Sequence, residues 1–184
     1  MKIIIKTLLL VFATNVALGQ TIRIKEPEFA NNGIYVNDTI GDGIPLEKQK
    51  YTISIKSNAA SYVPFANLAA GKTKTKLVFQ GKESTTKISC KEKIHFIIKM
   101  TDNSNDPTSL IEVFKLTQEK NLRTSVMAEA KVIGGAETKN LDTFTYSAKK
   151  YGQSSYLIEL NNLPVGQYGI HVSTSVEYLL FEIN

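Results

Sequence analysis

The segment Ala66-Asn67-Leu68-Ala69-Ala70-Gly71-Lys72-Thr73 comes nearest to a phosphate-binding loop. Such a loop needs a glycine, four residues and then Gly-Lys-Ser/Thr, set between a strand and a helix whose N-terminus holds the phosphate. Here Ala66 stands at the first glycine, and Lys74, Lys76, Leu77 and Phe79 continue as a strand, so the segment reads as a surface β-turn. Asp102, Ser104 and Asp106 have the one-three-five spacing of a calcium loop. Pro107 replaces its glycine, and the acid due at the twelfth position arrives one residue early as Glu112, which favours a hairpin turn. His95 and His171 are the only histidines, and each sits inside a strand pattern. A zinc site would need both plus carboxylates gathered by the fold, and a serine hydrolase would need one beside a serine and an acid. Gly152-Gln153-Ser154-Ser155-Tyr156 lacks the second glycine of a nucleophile elbow. The single cysteine, Cys90, has Lys87, Lys91 and Lys93 nearby in sequence, which would favour its thiolate if they lay close. A lone cysteine in a β protein is more simply a small buried hydrophobe. These tests leave no catalytic, metal or cofactor signature standing.

Charge offers a little more. Lys72, Lys74 and Lys76 share one strand face and read as a solvated edge that discourages pairing with other chains. Asp38-Thr39-Ile40 matches the short acid–hydroxyl–aliphatic triplets that some Gram-negative bacteria O-glycosylate during export. There is no tryptophan, which argues mildly against a sugar-binding platform.

The elements that must position these residues are strands. Ile22 and Ile24 alternate with Arg23 and Lys25, and Ile53 and Ile55 sit between Thr52, Ser54 and Lys56. Leu77 and Phe79 repeat the pattern, as do Val126, Ala128, Ala130 and Val132. Phe144, Tyr146 and Ala148 follow, then Tyr156, Ile158 and Leu160, then Tyr168, Ile170 and Val172. Period-two stripes of this kind predict antiparallel strands with one face in a core and one in water. Turn residues separate them at Asn31-Asn32-Gly33, Gly41-Asp42-Gly43, Gly81-Lys82, Gly134-Gly135 and Gly152. Glu119-Lys120-Asn121 is placed to close a hairpin between Leu110–Thr117 and Leu122–Ile133. Ala59–Ala70 is the one candidate for a helical turn, and Pro64 keeps it short.

Residues 1–19 read as a signal peptide: a basic start at Lys2 and Lys6, an apolar run from Leu8 to Val16, and small Ala17 and Gly19 before a cut ahead of Gln20. The run falls short of the roughly 20 apolar residues that span a bilayer, so the mature chain is expected to lack a transmembrane segment. With only Cys90, the chain has no cysteine at the cleavage site for a lipid anchor and no pair for a disulfide. Eukaryotic exported domains often carry disulfides, so this composition points to bacterial periplasm or the cell surface. Loss of Lys2 and Lys6, with no acid removed, lowers the net charge from +5 to +3, too mild to demand nucleic acid or membrane.

The seven strands expected from Ile94 onward, in about 90 residues, suit an immunoglobulin-like sandwich. The fold expected is therefore all-β: an antiparallel β-sandwich with an immunoglobulin-like part at 91–184 and a smaller N-terminal β unit at 20–90. That unit is either barrel-like or added to the same sheets. Two segments also carry a resemblance. Glu26-Pro27-Glu28-Phe29, together with Lys149-Lys150-Tyr151-Gly152, Ser154-Ser155-Tyr156 and Leu163-Pro164-Val165-Gly166-Gln167-Tyr168, resembles the two ends of uncharacterised exported β-sandwich proteins of Gram-negative bacteria. There an acidic residue usually precedes the tyrosine, where this chain has Gln167. The resemblance implies a β-sandwich and export, and no activity.

The functional expectation is a non-catalytic binding or structural module, with no cofactor and no metal, whose partner is an envelope protein or surface polymer. Tyr62, Lys149, Lys150, Tyr151 and Tyr168 are the contact candidates. The alternative is an envelope hydrolase acting on peptide or glycan through carboxylates or Cys90.

Overall fold

The computed structural model describes residues 22–57, 72–131, 135–137 and 142–184, and among these it is all-β. One sheet has five strands, in the order β14 (Ser147–Tyr151), β15 (Ser155–Asn161), β9 (Lys93–Lys99), β2 (Gly33–Val36) and β4 (Ile44–Pro45), all antiparallel. A larger, ten-stranded sheet runs β5 (Glu47–Lys50), β17 (Glu177–Ile183), β16 (Gly166–Val172), β10 (Ile111–Glu119), β11 (Leu122–Lys131), β7 (Lys72–Gln80) and β6 (Thr52–Ser57). Off that path, β12 (Gly135–Glu137) pairs with β11, β13 (Thr143–Phe144) with β10, and β8 (Lys87–Ile88) runs parallel to β17. A small parallel pair joins β1 (Arg23–Ile24) to β3 (Ile40–Gly41). Strands from either side of residue 90 are neighbours in both large sheets, so the N-terminal part is added to the same sheets. No helix among the described residues is long and apolar enough to cross a membrane.

Among the described residues, three apolar layers hold this arrangement. The main core lies between the two large sheets, where Phe96, Ile98, Tyr156 and Ile158 meet Val113, Tyr168, Ile170 and Phe181. A second core uses the opposite faces of β10 and β17: Phe114, Leu116, Tyr178 and Leu180 pack on Leu77 and Phe79 as the large sheet curls. A third covers the outer face of the five-stranded sheet, with Ile24 on Ile34, Val36, Ile97 and Leu157. Consequently β9, β15 and β17 are buried on both faces, which their contiguous runs (Phe96-Ile97-Ile98, Tyr156-Leu157-Ile158, Leu179-Leu180-Phe181) allow.

Several stripes behave differently from expectation. Ile53 and Ile55 are 55% and 68% exposed. Their strand, β6, ends the large sheet, and no described element covers that end. The lysine-bearing strand β7 is in turn interior, held between β11 and β6, and Lys76 pairs with Glu119. On β11 a bulge lies between Val126 and Ala128. It splits the stripe, placing Val126 opposite Lys76 and Ala128 opposite Thr75, while the intervening Met127 packs on the second core. The hairpin at Glu119 to Leu122 forms as expected, with Lys120 at φ 56°. The 102–107 turn carries one feature the sequence reading missed. A single 3-10 turn spans Pro107–Ser109, and its N-cap Asp106 accepts from the Thr108 amide at 2.9 Å.

Candidate functional site

The outer face of the five-stranded sheet is incompletely covered. Strand pairing sets Ser147, Glu159, His95 and Val36 in one row across β14, β15, β9 and β2. The next row is Lys149, Leu157, Ile97 and Ile34, and Ile24 packs over its apolar members. A groove of about 680 Å3 opens over the first row and Leu157. Its walls are the β2–β3 turn at Asn37-Asp38-Thr39, the strand β14 at Ser147–Lys149, Ile22, and the approach to β9 at Lys91 and Lys93.

The groove's charges are unevenly satisfied. Glu159 at the floor lies 3.0 Å from His95 Nε2 and 3.3 Å from Lys93 Nζ. The His95 contact, with Lys93 beside it, holds the Glu159 carboxyl below its ordinary range against the opposing effect of burial. Asp38 Oδ1 accepts the Thr39 amide at 2.7 Å and caps its own turn. Lys91 lies 5.7 Å above the Tyr35 ring, and neither Lys91 nor Lys149 meets a carboxylate among the described residues. Two lysines that contact no carboxylate among the described residues therefore border the groove, with the Asp38 carboxylate in the same wall, over a floor that is partly apolar.

The five contact candidates separate clearly. Lys149 lines the groove, and Lys150 follows it on the opposite face of β14, where its Cα partner is core Tyr156. Tyr151 is a structural anchor: its hydroxyl accepts from the Ile24 amide at 2.8 Å and donates to the Ile24 carbonyl, tying β1 to β14. Tyr168 is fully buried, stacked on Phe181 at 5.3 Å with its hydroxyl on the Pro164 carbonyl, so it offers no contact surface. Its place in the alternating stripe of β16 explains the burial. Tyr62 lies outside the described residues. Cys90, expected to be buried, is exposed.

The sequence reading passed over Lys91, Lys93, His95 and Glu159 as a group. A signal was available for three of them, since period two already puts Lys91, Lys93 and His95 on one side of a strand. Glu159 joins them only through pairing of β15 with β9, across 64 residues.

Two other polar clusters are structural. Arg123, 1% exposed, meets both oxygens of Glu47 at 2.8 and 3.2 Å and the carbonyls of Gln80 and Gly81. The Ser84 hydroxyl, the Thr85 amide and the Gln49 side-chain amide also donate to Glu47. At the other side, Glu26 accepts from Ser155 Oγ at 2.5 Å, the Gln153 amide at 2.7 Å and Lys99 Nζ at 3.0 Å. Every strong donor in both clusters is used in holding elements together. His171 stacks on Tyr178 at 4.6 Å, with Glu112 3.8 Å away. Among the described residues no three His, Cys, Asp or Glu side chains are grouped to hold a metal. No protein-family model matches this chain, and comparison with curated proteins and solved structures likewise found no match.

Proposed function

We propose that the mature chain is a non-catalytic binding module of the bacterial periplasm or cell surface, and that its partner sits in the groove bordered by Lys91 and Lys149. The observation that carries this reading is a groove on the outer face of the five-stranded sheet, bordered by two lysines, Lys91 and Lys149, that contact no carboxylate among the described residues. An anionic group on an envelope protein or surface polymer supplies their counter-charge. Export behind residues 1–19 puts the module where such partners are found, and N-terminal sequencing of the cellular protein should begin at Gln20. A photo-cross-linking residue at Thr39 or Lys149, introduced in the native envelope, should capture the same neighbour reproducibly. Recovery of monomer alone from both positions overturns the reading.

One observation favours the alternative, an envelope hydrolase acting on peptide or glycan. The His95–Glu159 pair is an imidazole oriented by an acid, as a general base requires. In that case purified protein hydrolyses peptide or glycan substrates, and His95→Ala abolishes turnover while leaving the fold intact. Absence of turnover across both substrate classes removes it.

A further inference from the structure

We infer that the exposed edge of β14 is a docking edge that takes an extended acidic peptide as an added strand. The inference rests on the binding-module reading and names its partner class. β14 ends the five-stranded sheet, and among the described residues its only strand neighbour is β15. Its residues Ser147 to Lys150 are exposed and Tyr151 half-buried, so one side of its backbone presents amides and carbonyls with no described partner. Such an edge is a template for another strand unless something blunts it.

Charge decides which strand. Lys149 faces the groove and Lys150 faces the other way, so any strand laid along β14 meets an ammonium on each of its faces. Neither lysine makes an ion pair with a carboxylate among the described residues, although Lys150 lies near enough to Asp102 for its charge to help lower that carboxyl's pKa. A second copy of β14 paired antiparallel with Lys149 opposite Lys150 would set two lysines against two lysines, and like charges directly opposite destabilise a pair. A strand with acids at consecutive positions places one carboxylate against each lysine. The residues that guard the edge against self-pairing are therefore those that select an acidic partner. On the groove side, the added strand's side chains lie next to Ser147 and Lys149, which form the groove wall.

The edge is also preorganised, which lowers the ordering cost of binding. All five residues of β14 are in register with β15, from Ser147 opposite Glu159 to Tyr151 opposite Ser155. The Tyr151 hydroxyl is fixed on Ile24, and the turn at Gly152-Gln153 is fixed on Glu26.

The test uses the mature chain and a synthetic peptide of about eight residues, a typical strand length, carrying adjacent glutamates among valine and threonine. Its control is the same peptide with a central proline in place of one valine, which removes a ladder amide. Expected are binding of the first peptide and slower hydrogen exchange at the outward amides of 147–151. Binding should weaken by about tenfold or more in Lys149→Glu/Lys150→Glu, as two reversed cross-strand charges imply. Both side chains are exposed, so this variant should retain the fold, checked by circular dichroism. Equal binding of the proline peptide, unchanged exchange at 147–151, or an unaffected charge-reversal variant overturns the inference. A neighbour captured at Thr39 together with no peptide binding leaves the binding module standing and removes only its acidic-strand partner.

Discussion

Glu26→Gln is the sharpest probe of how the outer layer is held. The Glu26 side chain is 19% exposed and receives a hydroxyl, an amide and an ammonium from Ser155, Gln153 and Lys99. Burial works against its charge, but the hydrogen bonds from Ser155, Gln153 and Lys99 outweigh that and lower its pKa from 4.5 to about 2. A folded value below the unfolded one stabilises the fold at pH above the unfolded pKa. That contribution is lost as the pH falls from about 4.5 toward 2. The difference corresponds to about 3 kcal/mol, which solvent screening of a partly exposed carboxylate trims to about 2 kcal/mol. A neutral amide keeps the shape and loses the charge. Urea unfolding of the mature chain should therefore show Glu26→Gln less stable by about 2 kcal/mol at pH 7, or about 4–8 °C in Tm for a chain of this size. The gap should close as the pH approaches 2. Equal stability at pH 7, or a gap that persists undiminished at pH 2, refutes the reasoning.

Gly152 has φ +55°, and a Cβ there would lie 1.7 Å from the Glu26 carboxylate. Gly152→Ala should thus cost more than about 1 kcal/mol in urea unfolding, and less in a Glu26→Ala background, where the carboxylate is gone and only the positive-φ strain remains. Arg123→Ala leaves Glu47 charged, largely enclosed and without its guanidinium, and should destabilise by about 3–5 kcal/mol in the same assay. Burial opposes the Glu47 charge, but hydrogen bonds from Arg123, Ser84 and Thr85 depress its pKa, so Arg123→Ala should also make stability fall at a higher pH than in the parent. Ile55→Ser, on the uncovered end of the large sheet, should change stability by no more than about 0.5 kcal/mol, whereas Leu77→Ala on neighbouring β7 should cost about 2–5 kcal/mol.

Strand content and most turns were legible because both are written in neighbouring residues. Tyr156, Ile158 and Leu160 alternate, and all three point into the main core as the pattern requires. Layer number was less legible. Alternation says that one face of Tyr168-Gly169-Ile170 is apolar, but whether the other face meets water depends on which sheet curls over it. Phe114 and Tyr178 belong to a second core only because β7 and β11 fold back against them. For the same reason Ile53 and Ile55 carry a core-like pattern in a strand that reached the end of the sheet. The Met127 bulge was invisible because a one-residue insertion leaves the hydrophobic sequence unchanged while it reverses the facing.

The site was illegible for a related reason, and the two polar clusters show what that reason is. Glu26 meets Ser155 across 129 residues, and Glu47 meets Arg123 across 76. Each contact closes a long loop of chain, so each is bought by the cores that bring the strands together rather than by local propensity. The groove obeys the same logic. Lys149 acquires its setting from β15 and β9, and His95 gains an acid only because Glu159 is its cross-strand partner. In an all-β chain of this connectivity, residues adjacent in sequence point to opposite faces, so side chains that share a face, such as Ser147, Glu159, His95 and Val36, line up as a row across strands rather than as a local motif.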